Sequence, residues 1–139
     1  PELIEALSAR PLLVKPNREE LARTIGHALD GDEATFTAMD ELRVLGAQWV
    51  LVTDGARPAL VLGPEGAFRV VPPTPEAVVN PIGCGDCLAA GIAAGLAEGR
   101  GFLDALRSGF ACATDNCRTI LAGRLDRAAV AALEDRVTV

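Results

Sequence analysis

The sequence predicts an α/β fold, and three observations carry that prediction. Two short apolar runs, Leu12–Val14 and Trp49–Thr53, have the uninterrupted apolar character of strands that are buried on both faces. Sequence with helical periodicity separates them, which is the pattern of a βαβ unit with a right-handed crossover. Half of the 139 residues are hydrophobic, so one domain with a real core is expected.

The elements of the first half follow from local signals. Residues 1–8 predict a helix because their apolar residues share one face and Pro1 suits a first turn. The strand at 12–14 is ended by a proline. Residues 18–25 and 32–45 return to helical spacing, the second ending at a glycine. These helices bring the chain back to the second strand.

Beyond the second strand, residues 59–62 and 67–71 predict a hairpin, with residues 63–66 as a four-residue turn. Residues 72–81 contain four prolines and predict a loop. Helical patterns follow over residues 84–98, residues 102–118 and a last helix that begins at Asp126 or Arg127 and runs through Leu133; residues 137–139 are predicted to be extended.

The most informative stretch lies where the proline-rich loop enters the third-last helix. Gly83 and Gly85 allow a tight turn and remove side chains that would block a ligand. Unpaired N–H groups at a helix start favour an anion, most often phosphate. Asp86 lies inside this stretch although a carboxylate repels phosphate. It is either a helix cap or a general base that takes a proton from a hydroxyl.

Three motifs carry a family resemblance. Asn80–Gly91 resembles the signature of the PfkB, or ribokinase-like, carbohydrate kinases. Lys15–Glu20 resembles the family's Asn-x-x-Glu block, and Val52–Gly55 its strand-end turn at the nucleotide. All three occur in the family's order. The first two look most like the tagatose-6-phosphate kinase and 1-phosphofructokinase branch, although Cys84 stands where Ala or Ser is usual.

The resemblance implies a ribokinase-like three-layer α/β/α fold, of which residues 1–139 would be the C-terminal nucleotide-binding and catalytic portion. It implies transfer of the γ-phosphoryl group of ATP to a hydroxyl of a sugar or sugar phosphate, with Asp86 as the base. The implied anion hole consists of the N–H groups of Gly83, Cys84, Gly85 and Asp86. The implied nucleotide-binding residues are Thr53, Gly55, Ala113 and Asn116. Asn17 and Glu20 would orient Mg²⁺, through water rather than as a closed cage.

Simpler structural roles compete with several of these assignments. Asn17 and Glu20 have the spacing of a capping box, in which each side chain satisfies the other's backbone. Thr53 and Gly55 are also ordinary turn residues. The four cysteines superficially resemble zinc spacing, but Cys112 and Cys117 would project about 140° apart on a helix. The phosphate-loop interpretation is therefore favoured over a metal or redox site, with Cys112 and Cys117 as core or near-core thiols.

Composition excludes several classes of function. A net charge of −6 without a basic cluster argues against nucleic acid as a partner. No apolar run reaches the roughly 18 residues of a membrane span, and no secretory signal opens the chain, so a cytoplasmic enzyme is expected. The Gly-x-x-x-x-Gly-Lys-Ser/Thr motif of P-loop kinases is absent.

Two alternatives from other classes remain. One is a non-catalytic nucleotide-binding or regulatory module of the same fold. The other is a dinucleotide-binding oxidoreductase domain, which would need its glycine loop after an early strand rather than late in the chain. The resemblance also admits a homodimer of the full-length protein. The strands are few, and the resemblance implies that the family's sugar contacts and substrate lid come mainly from an N-terminal half outside residues 1–139. The isolated chain is therefore expected to bind nucleotide weakly and to lack sugar-dependent transfer.

Overall fold

The computed structural model describes residues 2–139 and divides the chain into two compact units. The first unit ends at Val70, and the second runs from Val71 to Val139. Pro1, which was predicted to occupy the first helical turn, lies outside the described residues. Within residues 2–139, none of the helices is both long and apolar enough to cross a membrane.

The first unit contains a four-stranded sheet with strand order β1-β2-β3-β4. Strands β1 and β2 are parallel, as a βαβ unit requires, and β2, β3 and β4 pair antiparallel. The predicted element types are confirmed, and most of the element ends lie within one residue of their predicted positions. The elements are α1 (Glu2–Leu7), β1 (Leu13–Val14), α2 (Arg18–Ile25), α3 (Gly31–Val44), β2 (Trp49–Val52), β3 (Ala59–Gly63) and β4 (Gly66–Val70).

The hairpin turn is shorter than predicted. Gly63 pairs with Gly66 in the β3–β4 register, so only Pro64 and Glu65 form the turn. A Cβ at residue 63 would lie 2.0 Å from the Trp49 ring, and Gly66 has a φ of 127°. The two glycines thus extend the ladder by one pair, because neither carries a side chain that would clash or strain the backbone. The four-residue turn prediction was wrong for this reason.

One apolar cluster holds the first unit together. Residues from α1, α2 and α3 pack with residues of β1, β2 and β3, and most of their side chains are fully buried. Burial of this apolar surface is the main favourable contribution to folding. The buried members are Leu7, Val14, Leu21, Ala38, Met39, Leu42, Ala47, Val50, Val52 and Leu60.

The second unit is helical. Its elements are α4 (Cys84–Ala97), α5 (Phe102–Cys117) and α6 (Arg127–Glu134). The extended end predicted at 137–139 is present, since Val71 and Thr138 form an antiparallel bridge. Arg100, after α4, binds both carboxylate oxygens of Glu134 at 3.2 and 3.3 Å and so attaches α6 to the helix pair.

Helices α4 and α5 pack antiparallel and almost backbone to backbone. A Cβ added at Gly91 would lie 2.8 Å from the Cα of Gly109, and one at Gly109 would lie 2.7 Å from the carbonyl oxygen of Leu88. No larger side chain fits at either glycine unless a backbone moves. This close contact sets the start of α4 beside the end of α5.

Candidate functional site

The start of α4 is shaped by a glycine in the left-handed region. Gly83 is the N-cap residue, with φ 81° and ψ 0°, and no side chain caps the helix. A Cβ at this position would lie 3.1 Å from the Cβ of Ala122. Both the backbone conformation and the nearby Ala122 therefore favour glycine here.

Most of the N–H groups predicted to form the anion hole donate no hydrogen bond within residues 2–139. Within residues 2–139, the backbone N–H groups of Gly83, Gly85 and Asp86 have no hydrogen-bond partner. The N–H of Cys84 instead donates to the carbonyl of Pro81 over 3.3 Å. A helix start with unpaired donors and the positive end of the helix dipole is suited to an anion.

Asp86 is exposed at the third residue of α4. No hydrogen bond or ion pair joins its carboxylate to another residue in the described part of the chain, and Gly83 rather than Asp86 holds the N-cap position. The structure therefore does not use Asp86 as a helix cap. Its carboxylate stands beside the open donors with its oxygens available.

Asn116, one of the predicted nucleotide-binding residues, lies buried near the end of α5. Its side chain is fully buried, and its Nδ2 donates to the carbonyl of Ile82 at 2.9 Å. Its Oδ1 accepts from the N–H of Gly123 at 2.7 Å. The amide thus ties the α4 loop to the turn after α5. Ala113, one turn earlier on α5, is half-buried.

Cys84 and Cys87 contact the same amide, and Cys117 contacts Cys84. The Sγ atoms of Cys84 and Cys117 lie 2.7 Å apart, and Asn116 Nδ2 donates to Cys84 Sγ at 3.3 Å. The buried thiol of Cys87 donates to Asn116 Oδ1 at 3.4 Å. Burial, followed by contact with Cys84, raises the pKa of the Cys117 thiol to about 12. Burial also raises the pKa of Cys87 and of Cys112.

An exposed apolar rim borders the α4 loop. Asn80 Nδ2 donates to the carbonyl of Ile120 at 2.9 Å, which joins the two segments of this rim. Ile82 is 71% exposed and Ile120 is 77% exposed. We did not anticipate these residues, although large apolar side chains in a loop without a packing partner are a usable signal. The rim consists of Val78, Val79, Ile82, Ile120 and Leu121.

In the first unit, Asn17 and Glu20 form the capping box that their spacing allowed. Asn17 Oδ1 accepts from the N–H of Glu20, and Glu20 Oε2 accepts from the N–H of Asn17, both at 2.8 Å. Thr53 lies beside Asn17 in a parallel bridge, and its carbonyl accepts from the N–H of Arg18 at 2.9 Å. Three of the predicted site residues therefore lie around the start of α2.

A charged network that sequence reasoning missed surrounds the turn after β2. Arg18 donates to the carbonyl of Gly31 at 2.6 Å and lies 3.6 Å from the carboxylate of Asp54. Arg57 also pairs with Asp54, at 3.1 Å. Gly55 follows with φ 59° and is exposed. The turn contains Thr53 and Gly55, and this network links it to the start of α3.

No metal cage accompanies either region. Among residues 2–139, no group of three or more His, Cys, Asp and Glu side chains could hold a metal ion. A cavity of about 670 Å³ opens between α3 and the hairpin. Its charged lining residues, Asp40 and Glu41, are acidic and would repel a phosphate, and it contains none of the predicted site residues.

Comparison with known proteins gives a consistent result. A profile of the pfkB family carbohydrate kinases matches residues 1–124. The chain is 36% identical over 97 residues to a 1-phosphofructokinase of Haemophilus influenzae, covering 70% of this chain and 31% of that protein. It thus spans about a third of the length of this curated relative.

Solved structures of the same fold are also similar. Escherichia coli phosphofructokinase-2 in complex with fructose-6-phosphate has a TM-score of 0.82 and 26% identity, covering 96% of this chain and 43% of that one. Arabidopsis thaliana ribokinase complexed with ribose and ATP has a TM-score of 0.84 and 25% identity, covering 94% and 43%. These likenesses bear out the ribokinase-like α/β fold.

Proposed function

The chain belongs to the pfkB family of carbohydrate kinases, and on that basis we propose that it supplies the C-terminal nucleotide-binding and catalytic portion of a kinase. The proposed reaction transfers the γ-phosphoryl group of ATP to a hydroxyl of a sugar or sugar phosphate. The observation that carries this proposal is the open start of α4, where unpaired N–H groups adjoin an exposed carboxylate that caps nothing.

The N–H groups of Gly83, Gly85 and Asp86 hold the negative charge of the phosphoryl group during transfer. Phosphoryl transfer depends chiefly on positioning and charge stabilisation, and fixed backbone donors provide both. Cys84 belongs to the same turn, but its N–H donates to the carbonyl of Pro81. It joins the anion hole only if that 3.3 Å hydrogen bond opens on binding.

Asp86 accepts the proton of the acceptor hydroxyl as the hydroxyl oxygen attacks phosphorus. Its exposure and its lack of a hydrogen-bond partner within residues 2–139 leave both carboxylate oxygens free for this role. Asn116 acts indirectly. Its hydrogen bond to Ile82 holds the residue before Gly83 and so orients the donors.

Mg²⁺ and ATP are the cofactors we propose. The donor set at α2 fits a magnesium ion held through water, because Asn17 and Glu20 each keep unused oxygen lone pairs beyond the capping box. When bound, Mg²⁺ would neutralise phosphate charge. In the first unit, Thr53 and Gly55 are the residues we propose to contact the nucleotide. In the second unit, we propose Ala113 and the apolar rim as nucleotide contacts.

The substrate class follows from the relatives. The Haemophilus influenzae protein is a 1-phosphofructokinase, and one similar structure contains fructose-6-phosphate. We therefore propose a phosphorylated ketohexose as the acceptor, in a cytoplasmic enzyme that acts on small molecules rather than on nucleic acid or membranes. Assembly of the full gene product as a homodimer is a further proposal.

The test is a panel of sugars and sugar phosphates assayed with ATP and Mg²⁺ for ADP release, using the full gene product that carries this sequence. The expected result is acceptor-dependent ADP release that an Asp86→Asn variant loses while it still binds ATP. Tight ATP binding without transfer to any acceptor would instead establish the non-catalytic nucleotide-binding module. Loss of both binding and transfer would contradict the proposal as a whole.

A further inference from the structure

We propose that Cys84 and Cys117 form an oxidisable dithiol, a modification site that closes to a disulfide between the start of α4 and the end of α5. This inference rests on the arrangement of the sulfur atoms and does not depend on the proposed kinase activity.

The geometry selects this pair among the four cysteines. The Sγ atoms are 2.7 Å apart, against about 2.05 Å in a disulfide. The gap is small enough for side-chain rotation to close, so neither helix needs to be rebuilt. Both thiols are half-buried rather than enclosed, so a small oxidant can reach them.

The other two cysteines have different surroundings. Cys87 is buried, and its thiol donates to Asn116 Oδ1. Cys112 faces the middle of α4, where a Cβ on Gly91 would lie 3.0 Å from its sulfur. Within residues 2–139, no sulfur–sulfur contact comparable to that of Cys84 and Cys117 involves Cys87 or Cys112.

A peroxide is the class of oxidant we propose. The Cys84 sulfur attacks one peroxide oxygen, the O–O bond breaks, and Cys84 sulfenic acid and water form. The Cys117 sulfur then attacks the Cys84 sulfur, loses its proton and displaces the sulfenic oxygen as a second water. The two sulfurs lose two electrons together, and peroxide gains them. The raised pKa of Cys117 favours this order, because Cys117 stays protonated until Cys84 has reacted.

Closure of the disulfide would alter the α4 start. The Nδ2 of Asn116 contacts both Cys84 Sγ and the carbonyl of Ile82. Drawing the sulfur toward Cys117 weakens the first contact and pulls on the residue between the open donors of Gly83 and Gly85. Oxidation is therefore expected to weaken anion binding at this turn, and reduction should restore it.

The disulfide can be assigned on the unmodified sequence. Trypsin cuts after Arg69, Arg100, Arg107 and Arg118, and a protease that cuts before aspartate cuts at Asp86 and Asp115. Together they place the four cysteines on four separate peptides. The experiment treats the full gene product with hydrogen peroxide, blocks free thiols by alkylation and maps the peptides without reduction.

The expected product joins the peptide ending at Gly85 to the peptide that begins at Asp115, with the loss of two hydrogen atoms. Dithiothreitol should reverse it. Cys84→Ser and Cys117→Ser should each abolish the link, and Cys87→Ser and Cys112→Ser are the matched controls that should keep it. A link through Cys87 or Cys112, or sulfinic acid at Cys84 without any link, would overturn the proposal.

The functional consequence has a separate readout. Binding of inorganic phosphate, measured by calorimetry, should weaken several-fold on peroxide treatment of the wild-type protein but not of Cys84→Ser, which has no Cys84 sulfur to oxidise. Equal weakening in both proteins would show that the disulfide does not control the anion site. If the serine variant does not fold, wild-type protein before and after dithiothreitol provides the same comparison.

Discussion

The two helix N-termini that carry the family motifs differ in their capping. At α2, Asn17 and Glu20 satisfy each other's backbone in a complete capping box. At α4, Gly83 provides no side-chain cap, and the first N–H groups are left largely unpaired. A closed start stabilises its helix by itself, whereas an open start gives up that stabilisation and keeps donors available for a ligand.

The contrast also shows where each region obtains its rigidity. The α2 start is held by local hydrogen bonds across three residues. The α4 start is held from a distance by Asn116, which lies more than thirty residues along the chain. A binding turn can therefore be ordered while its own backbone N–H groups stay free for a ligand, provided that a buried group from another element holds the turn in place.

The largest expected effect comes from the open start. Asp86→Asn should lower the turnover of the full gene product by on the order of 10²–10⁴-fold, because a positioned base contributes about that much. ATP binding should be retained, since the amide is nearly isosteric and removes a charge that repels phosphate. The measurement is steady-state ADP release together with calorimetric ATP binding. Near-normal turnover would show that Asp86, at the open start of α4, is not the general base.

The next effect concerns the distant support of the open start. Asn116→Ala removes a fully buried amide together with its hydrogen bonds to the Ile82 carbonyl and the Gly123 N–H, which should cost about 1–3 kcal/mol of unfolding free energy. Asn80→Ala is the matched control, because its amide binds more exposed groups. Urea unfolding should show a clearly smaller loss for the control. Equal losses would contradict the special role of Asn116.

A smaller effect is expected at the glycine that opens α4. Gly83→Ala should cost about 1–2 kcal/mol because alanine is strained at positive φ. Gly99→Ala is the control, since Gly99 has the same φ of 81° and no atom lies within 4 Å of an added Cβ. Scanning calorimetry should show a loss for both variants, larger for Gly83→Ala because its added Cβ also meets Ala122, with weaker phosphate binding only for Gly83→Ala. Unchanged phosphate binding would show that Gly83 does not contribute to the anion site.

The smallest effect tests the closed start. Asn17→Ala should cost about 1 kcal/mol through loss of the cap. Asp126→Ala removes the cap of α6, whose carboxylate accepts from the N–H of Ala129 at 2.9 Å, and is the matched control. If Asn17 also orients magnesium, only Asn17→Ala will raise the Mg²⁺ concentration needed for half-maximal activity. The same Mg²⁺ dependence of activity in both variants would show that Asn17 caps the helix and does not orient magnesium.

Local chemistry was readable in advance at both helix starts. The spacing of Asn17 and Glu20 predicted the capping box, and the glycines around Cys84 predicted a tight turn into a helix start that suits an anion. Each of these signals lies within a few neighbouring residues. Helix caps and tight turns can be predicted because they depend on the types of residues that are neighbours in the sequence.

Contacts between distant residues were not readable. Asn116 and Ile82 meet only because α4 and α5 pack antiparallel, and helical spacing alone did not place Asn116 inside. The same packing brings Cys117 to Cys84, although the angular argument considered Cys117 only against Cys112. The hairpin turn was missed for a related reason, since Gly63 is needed to clear the ring of Trp49.

The position of Trp49 has an optical consequence. It is the single tryptophan of this chain, which has no tyrosine, and it lies nearly buried in β2 against Gly63. Fluorescence excited at the long-wavelength edge, where only tryptophan absorbs, therefore reports on the first unit alone. Far-ultraviolet circular dichroism instead measures the helices of both units. If the second unit melts first, ellipticity will fall during heating before the indole emission shifts.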